Sequence, residues 1–268
     1  MRAVALVAGA VFRESVRDRV PYSMVVFAVL LMAASYLISQ LTAGQDLKII
    51  KDLGLAAIAM FGLLIAVFIG IGLVSKEVER KSVYGLLTKP VTRPQFIFGK
   101  YAGLVLTLAV NIAAMTAAFY GVLYYIDAAA TDSARAAWPA PAADARLLVA
   151  ILLIFAELTV VTAVALFFST FSSPLLATLL TLGLWIAGHF NADLRHFETV
   201  VDVPAVTWIA RTLYYVLPNL SPFDIKAEVV HGFPVATRHV ALTLLYAAVY
   251  AGMLLLAAVA IFRRRDFK

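Results

Sequence analysis

The sequence predicts an all-α polytopic membrane protein with six transmembrane helices. Of its 268 residues, 63% are hydrophobic and 14% are charged, whereas soluble domains are roughly half apolar and a quarter charged. The apolar residues form continuous runs of about twenty, the length that spans a hydrocarbon core of roughly 30 Å. These runs lack the alternating polar residues of barrel strands, so they indicate membrane-spanning helices.

The six predicted spans divide the chain into one transmembrane domain covering residues 1–268. They are predicted at residues 20–39, 53–74, 103–126, 147–168, 172–189 and 240–262. Outside them lie an N-terminal segment (1–19), a charged loop between the second and third spans (76–100) and a long outer segment (190–239).

The basic residues predict the orientation of the chain. Most of the 22 lysines and arginines lie in the N-terminal segment, the loop 76–100 and the C-terminal tail. Because positive charge is retained on the cytoplasmic side, both termini and this loop are predicted to be cytoplasmic. An even number of spans also requires the two termini to lie on the same side of the membrane. Topology thus accounts for the net charge of +6, and no nucleic-acid partner is predicted.

The N-terminal segment 1–19 is predicted to be an uncleaved helix at the cytoplasmic interface. Its charged residues 13–19 interrupt the apolar run before any cleavage site, which argues against a signal peptide. Val4, Val7 and Val11 are predicted to share the lipid-facing side of this helix. A disordered tail is the alternative.

The loop 76–100 has the pattern of a helix, a break and a second helix. Pro90 and Pro94 disfavour helix at the residues before them, and Pro94 is well placed to begin the next helix. Gly99 and Gly103 are four residues apart, a spacing that lets a neighbouring helix approach closely. The pattern predicts a rigid cytoplasmic elbow.

This loop resembles that of the type-2 ABC exporter permeases, which include nitrous-oxide reductase maturation permeases and drug and sodium exporters. The family pattern has glutamates, a small hydroxyl residue, a leucine pair, a Pro-Val-Ser/Thr-Arg turn and Gly-Lys. The matching residues are Glu77, Glu79, Ser82, Leu86, Leu87, Pro90, Val91, Thr92, Arg93, Gly99 and Lys100. Lys81 departs from the family's usual glycine. The regions around Glu157 and residues 214–224 are similar to the family more weakly.

The resemblance implies that the loop is a coupling helix resting in a groove of a separate ABC ATPase. It implies two ATPase copies, a second permease chain (identical or a related paralogue) and a bacterial or archaeal cytoplasmic (inner) membrane. The alternative is an ordinary positive-inside loop. The residues implied in coupling are Glu77, Glu79, Arg80, Lys81, Tyr84, Leu86, Leu87, Pro90 and Arg93, with the charged ones at the rim of the groove.

ATP and Mg are expected in the partner ATPase rather than in this chain. The sequence contains no phosphate-binding loop, because its only Gly-Lys pair, Gly99 and Lys100, lacks the upstream glycine. Hydroxyls, carboxylates and histidines are dispersed along the chain and there is no cysteine. The permease is therefore not expected to be an enzyme or to hold a cofactor.

Glu157 is the one acid deep inside a predicted span. Such residues are candidates for function, because a charge in lipid is unfavourable. The alternative is a structural role, in which Glu157 is protonated or hydrogen-bonded to a neighbouring helix.

The four histidines fall in or beside the outer segment 190–239. They are His189, His196, His231 and His239. Without an i, i+4 pair or a cysteine, scattered loop histidines are favoured over a metal site. The segment is too apolar for a solvated linker and predicts short helices that cap a transport path or dock an external partner.

Three functions remain open from the sequence. The first is an exporter permease driven by a separate ATPase, for which the apolar spans favour a hydrophobic cargo. The second is a mechanical transmitter that moves no substrate and acts on a partner at residues 190–239. The third, a secondary transporter or channel, predicts interrupted spans with several intramembrane charges, and it ranks last because only Glu157 is present.

The topology is directly testable, because the chain contains no cysteine. We expect single cysteines at Ser82 and Ala137 to be labelled from opposite sides of the membrane. An impermeant maleimide applied from outside should reach Ala137, whereas Ser82 should react only after permeabilisation. Labelling of both positions from outside would overturn the orientation.

Overall fold

The computed structural model describes residues 2–17, 19–39, 46–79, 92–190 and 217–264, and the regular structure in these ranges is helical. The helices are α1 (Arg2–Arg17), α2 (Arg19–Ser39), α3 (Asp46–Glu79), α4 (Arg93–Ala129), α5 (Asp132–Ala136), α6 (Arg146–Ser169), α7 (Pro174–His189), α8 (Lys226–Val230) and α9 (Thr237–Arg264), with a 3₁₀ turn at Ser221–Phe223 before α8.

Each of the six predicted spans falls on one helix. Within the described ranges, four helices are long and apolar enough to cross a membrane, namely α3, α4, α6 and α9. The first predicted span lies on α2, which has 21 residues. The fifth lies on α7, whose 16 residues extend about 24 Å. The prediction of an all-α, multi-pass membrane protein is confirmed.

Helices α3 and α4 continue well beyond the predicted second and third spans. They contain 34 and 37 residues, or about 51 and 56 Å, against roughly 30 Å of hydrocarbon. A separate short helix was predicted from Lys76, but residues 76–79 instead continue α3. The rest of that predicted helix lies outside the described residues. Pro94 occupies the first turn of α4, as predicted.

Helix α6 is the centre of the bundle. It contacts α3, α4, α7, α8 and α9, and from residue 156 to 166 every side chain except Thr159 is buried. Its hydroxyls bond to the helix itself, as when Thr162 Oγ1 donates to Leu158 O at 2.7 Å. This local bonding lets a polar residue lie in an apolar interior without an unpaired group.

Helix α1 packs along the first turns of α4. We call the end of the bundle with Arg13, Arg93 and Lys100 the basic end. A Cβ atom built on Gly99 would lie 2.7 Å from Val7 Cβ, and one on Gly103 would lie 2.7 Å from Val11 Cβ. The close approach predicted for the two glycines is therefore present, and α1 is the helix that makes it.

The predicted lipid-facing side of α1 is wrong. Val11 is buried and Val7 packs with it against α4, while Val4 contributes the carbonyl that approaches Gly99. An apolar stripe indicates that a helix face is shielded from water, but it does not show whether lipid or protein covers that face. The exposed side of α1 carries Leu6 and Arg13.

The opposite end of the bundle is closed by the connection between α4 and α6. Lys51 precedes the predicted second span (53–74) but is a buried residue of α3, whose Nζ donates to Pro141 O at 2.7 Å. Tyr120 OH donates to Asp144 O at 2.8 Å. Both contacts satisfy polar groups that would otherwise be buried without partners.

The described part of the outer segment, residues 217–239, contains the predicted short helices in the form of the 3₁₀ turn and α8. Leu220 and Phe223 pack against α6 and α9. Gly232, with φ of 77°, ends α8 in a conformation that other residues rarely adopt. Residues 191–216 of this segment lie outside the described residues.

The α1–α4 contact predicts a position-specific effect of added methyl groups on α4. Gly103→Ala would place its Cβ 2.7 Å from Ala8 O. We therefore expect overpacking to lower the free energy of unfolding by about 1–3 kcal/mol. We also expect faster tryptic cleavage at Arg13 and Arg17, because α1 would be released.

The matched control is Gly121→Ala on the same helix, where a Cβ meets nothing within 4 Å. It should leave cleavage unchanged and raise stability by about 0.5–1 kcal/mol, the general advantage of alanine in a helix. Thermal unfolding in detergent measures both variants. Equal behaviour of the two would show that α1 is not docked at Gly103.

Candidate coupling region and intramembrane acid

The predicted coupling residues fall into two groups. Arg80, Lys81, Tyr84, Leu86, Leu87 and Pro90 lie outside the described residues. Glu77 and Glu79 belong to the last turn of α3, and Arg93 is the first residue of α4. The described residues therefore flank the segment 80–92 with the ends of two helices that are both longer than a membrane span.

Arg93 contacts the end of α9. Its Nη1 donates to Phe262 O at 2.9 Å, and its guanidinium carbon lies 6.0 Å from the centre of the Phe262 ring. A cation at this distance from an aromatic ring is attracted by the ring's quadrupole. The sequence placed Arg93 at the rim of an ATPase groove and did not predict this contact within the chain.

The same end of α4 is held by two stacked rings. Phe96 and Phe262 lie 6.1 Å apart with an interplanar angle of 20°. Lys100 Nζ lies 4.7 Å from the centre of the Phe96 ring, and Lys100 is only 2% exposed. We call Arg93, Phe262, Phe96 and Lys100 the cation–aromatic stack. It joins the start of α4 to the end of α9.

Glu157 lies at the contact between α6 and α7, where it has partners. Trp185 Nε1 donates to Glu157 Oε1 at 2.7 Å, and His189 Nε2 lies 3.5 Å from the same oxygen. Glu157 is buried, with 6% of its surface exposed. Glu157 therefore makes a hydrogen-bonded contact between two helices, which is the geometry that the structural alternative predicts.

Sequence reasoning missed His189 as a partner of Glu157. The signal was the spacing of Trp185 and His189, because residues four apart lie on one helix face. Their rings are 4.7 Å apart. His189 Nδ1 lies 3.1 Å from Trp185 O, and since a carbonyl can only accept, Nδ1 is the donor in that contact.

A cavity of about 500 Å³ lies beside His189, at the end of the bundle opposite the basic end. Its polar lining includes Asp52 of α3, Ser221 and Asp224 beside the 3₁₀ turn, and Lys226 of α8. Ser221 Oγ donates to His189 O at 2.9 Å, which fixes the 3₁₀ turn to the last turn of α7. Among the described residues, no group of three metal-ligating side chains is present.

A second concave surface of about 650 Å³ lies between α4 and α6. Three hydroxyl-bearing residues, Thr116, Tyr120 and Tyr124, contribute to it. Two of these hydroxyls are bonded internally, since Thr116 Oγ1 donates to Ile112 O and Tyr120 OH to Asp144 O. The other lining residues are alanines, aliphatic side chains and Phe155. This α4–α6 groove therefore offers mainly apolar surface.

The sequence matches a family model over nearly its whole length. That model is described as "ABC-2 family transporter protein", and the match covers residues 6–266. No curated protein matches the chain closely enough for comparison. The matched range includes both the segment 80–92 and the helices that contain Glu157 and His189.

The Glu157 contact predicts different results for two substitutions. Glu157→Gln retains a carbonyl oxygen for the Trp185 N–H and should unfold near the wild-type temperature. Glu157→Leu leaves that N–H unpaired in an apolar setting and should lower the free energy of unfolding by about 1–3 kcal/mol. Thermal unfolding in nanodiscs measures both.

The control is Trp185→Phe, which removes the donor. In that background, Glu157→Leu should be less damaging than in the wild type, because no donor is left unpaired. If Glu157→Gln is as destabilising as Glu157→Leu, the hydrogen bond to Trp185 is not what holds α6 and α7 together.

Proposed function

The chain belongs to the ABC-2 transporter family and is a multi-pass permease, and we propose that it exports an apolar substrate by coupling to a separate ATPase. The family match over residues 6–266 carries this proposal. The charged segment between α3 and α4 supplies the coupling element. The permease itself contributes helices and contact surfaces rather than catalytic groups.

The ends of α3 and α4 are suited to transmit movement. Residues 75–79 extend α3 past the predicted second span, and residues 93–102 precede the predicted third span on α4. A continuous helix passes a displacement at one end to the other, which a flexible loop does not. A rigid-body movement of the segment 80–92 would therefore reach two membrane helices at once.

The proposed contact with the ATPase combines apolar docking with charge complementarity. Leu86 and Leu87 enter a groove of the ATPase, while Glu77, Glu79, Arg80 and Lys81 surround them at its rim. Charges at an interface rim mainly guide association, whereas the buried apolar residues hold the complex together. Tyr84 and Pro90 complete the elbow.

The proposed assembly contains two ATPases and two permease chains, identical or related. ATP and Mg bind to the ATPases. The basic end of the bundle faces the cytoplasm of a bacterial or archaeal cell, as the positive-inside rule predicts. The second permease is proposed because a six-span chain of this family resembles half of a larger transporter.

The α4–α6 groove supports an apolar substrate. Its lining carries no ionisable group apart from the two tyrosines, Tyr120 and Tyr124. Uptake of a fluorescent phospholipid or an apolar dye by inside-out vesicles, dependent on ATP, tests export. ATP hydrolysis without any such uptake would instead favour a mechanical transmitter, for which the described residues offer no specific observation.

The coupling contact predicts a strong effect of a buried charge. Leu86→Asp should abolish co-purification of the ATPase, because burying an unpaired carboxylate is unfavourable by several kcal/mol. Lys81→Glu, a charge reversal at the rim, should weaken association only modestly. Pro90→Ala should retain association but loosen the elbow and lower the amount of substrate transported per ATP hydrolysed.

Co-purification from membranes, the ATP turnover of the purified complex and uptake by inside-out vesicles measure these three variants. The Lys81→Glu variant serves as the control for a change of charge in the same segment. If Leu86→Asp keeps both wild-type association and wild-type turnover, this segment is not the coupling element.

A further inference from the structure

We propose that Arg93 is a positioning residue that clamps α4 to α9, so that movement of the segment 80–92 passes to α9 through Phe262. The inference rests on the proposed function, because it concerns how the coupling segment acts on the bundle. It differs from the role that the sequence suggested for Arg93, which was a rim contact with the ATPase.

The position of Arg93 along the chain makes it suitable for this role. It is the first residue of α4 and follows directly on the segment 80–92. Its partner Phe262 lies on the last turn of α9, far away in sequence. A contact between these two residues therefore closes a short path from the coupling segment to the last membrane helix.

Two different contacts hold the pair. The hydrogen bond from Nη1 reaches the backbone of Phe262, and the guanidinium also lies over its ring. Arginine suits both because its planar, permanently charged group stacks on a ring while its N–H groups point outward. A hydrogen bond from a charged donor is stronger than one between neutral groups.

The contact continues into a packed core. Behind the cation–aromatic stack, Ile97 and Leu104 of α4 pack with Leu255 and Val259 of α9. Val11 of α1 belongs to the same cluster. The basic ends of α1, α4 and α9 therefore pack against one another, and Arg93 is the residue of these contacts nearest along the chain to the coupling segment.

Helix α3 provides the internal comparison. It ends directly before the segment 80–92, so its connection to that segment does not involve Arg93 or Phe262. If Arg93 acts as a clamp, its loss uncouples α9 and leaves α3 connected. If Arg93 acts on the ATPase, its loss affects both helices together.

The experiment uses the full transporter with its ATPase in nanodiscs and nitroxide labels on single cysteines. One label replaces Phe68 of α3 and the other, in a separate sample, replaces Leu245 of α9; both residues are exposed. The native chain has no cysteine that would react. The signal is the change in label mobility when ATP and vanadate are added.

We expect Arg93→Ala to retain ATPase association and the signal at Phe68, and to reduce the signal at Leu245 by about fivefold, the lower end of typical coupling between two sites. Phe262→Leu should act in the same direction, and the double variant should be no worse than Arg93→Ala. Phe262→Tyr, which keeps the aromatic ring, should retain the wild-type signal at Leu245.

Arg13→Ala is the matched control, because Arg13 lies at the same end and its Nε donates to Gly9 O of its own helix. It should leave both signals unchanged. A normal signal at Leu245 in Arg93→Ala would overturn the clamp, as would equal loss at both labels with loss of the ATPase. Absence of any ATP-dependent signal in the wild-type complex would overturn the proposed function as well.

Discussion

The requirement that polar groups in hydrocarbon find partners within the protein governs this structure. It is met locally along the spans, where hydroxyls such as that of Thr162 bond to the preceding turn. It is met between elements where local bonding is impossible, as in the Trp185 contact to Glu157 and the Lys51 contact to Pro141. Because these contacts join different parts of the chain, satisfying polar groups also determines which helices pack together.

The two ends of the bundle are held together in different ways. At the basic end, helices are joined by side chains of α1, α4 and α9, which form one apolar cluster covered by the cation–aromatic stack. At the opposite end, short elements and loop carbonyls join α3, α6 and α7, as in the bond from Ser221 to His189 O. Helix α6 passes through both and contacts most of the bundle. Displacement applied at the basic end therefore acts on whole helices rather than on loops.

The sequence predicted the helices well because the thickness of the hydrocarbon fixes the length of an apolar run. It did not predict the ends of α3 and α4, since residues beyond the hydrocarbon obey no such length rule. Gly99 and Gly103 indicated a close approach but not the approaching helix. The side of α1 with Val7 and Val11 was wrongly assigned to lipid, because packing against protein demands the same pattern. The Glu157–His189 contact was missed because it depends on how α6 and α7 are rotated about their axes.

The docking of α1 on α4 also constrains how the protein is made. Helix α1 is synthesised before α4, and the glycine surface that receives it, at Gly99 and Gly103, follows two further spans along the chain. During that interval the side of α1 with Val7 and Val11 has no protein surface to cover it. The membrane interface, which accepts amphipathic helices, shelters this side until α4 has been inserted. The contact between α1 and α4 can therefore form only after the two intervening spans have been synthesised, so the order of elements along the chain delays closure of the basic end.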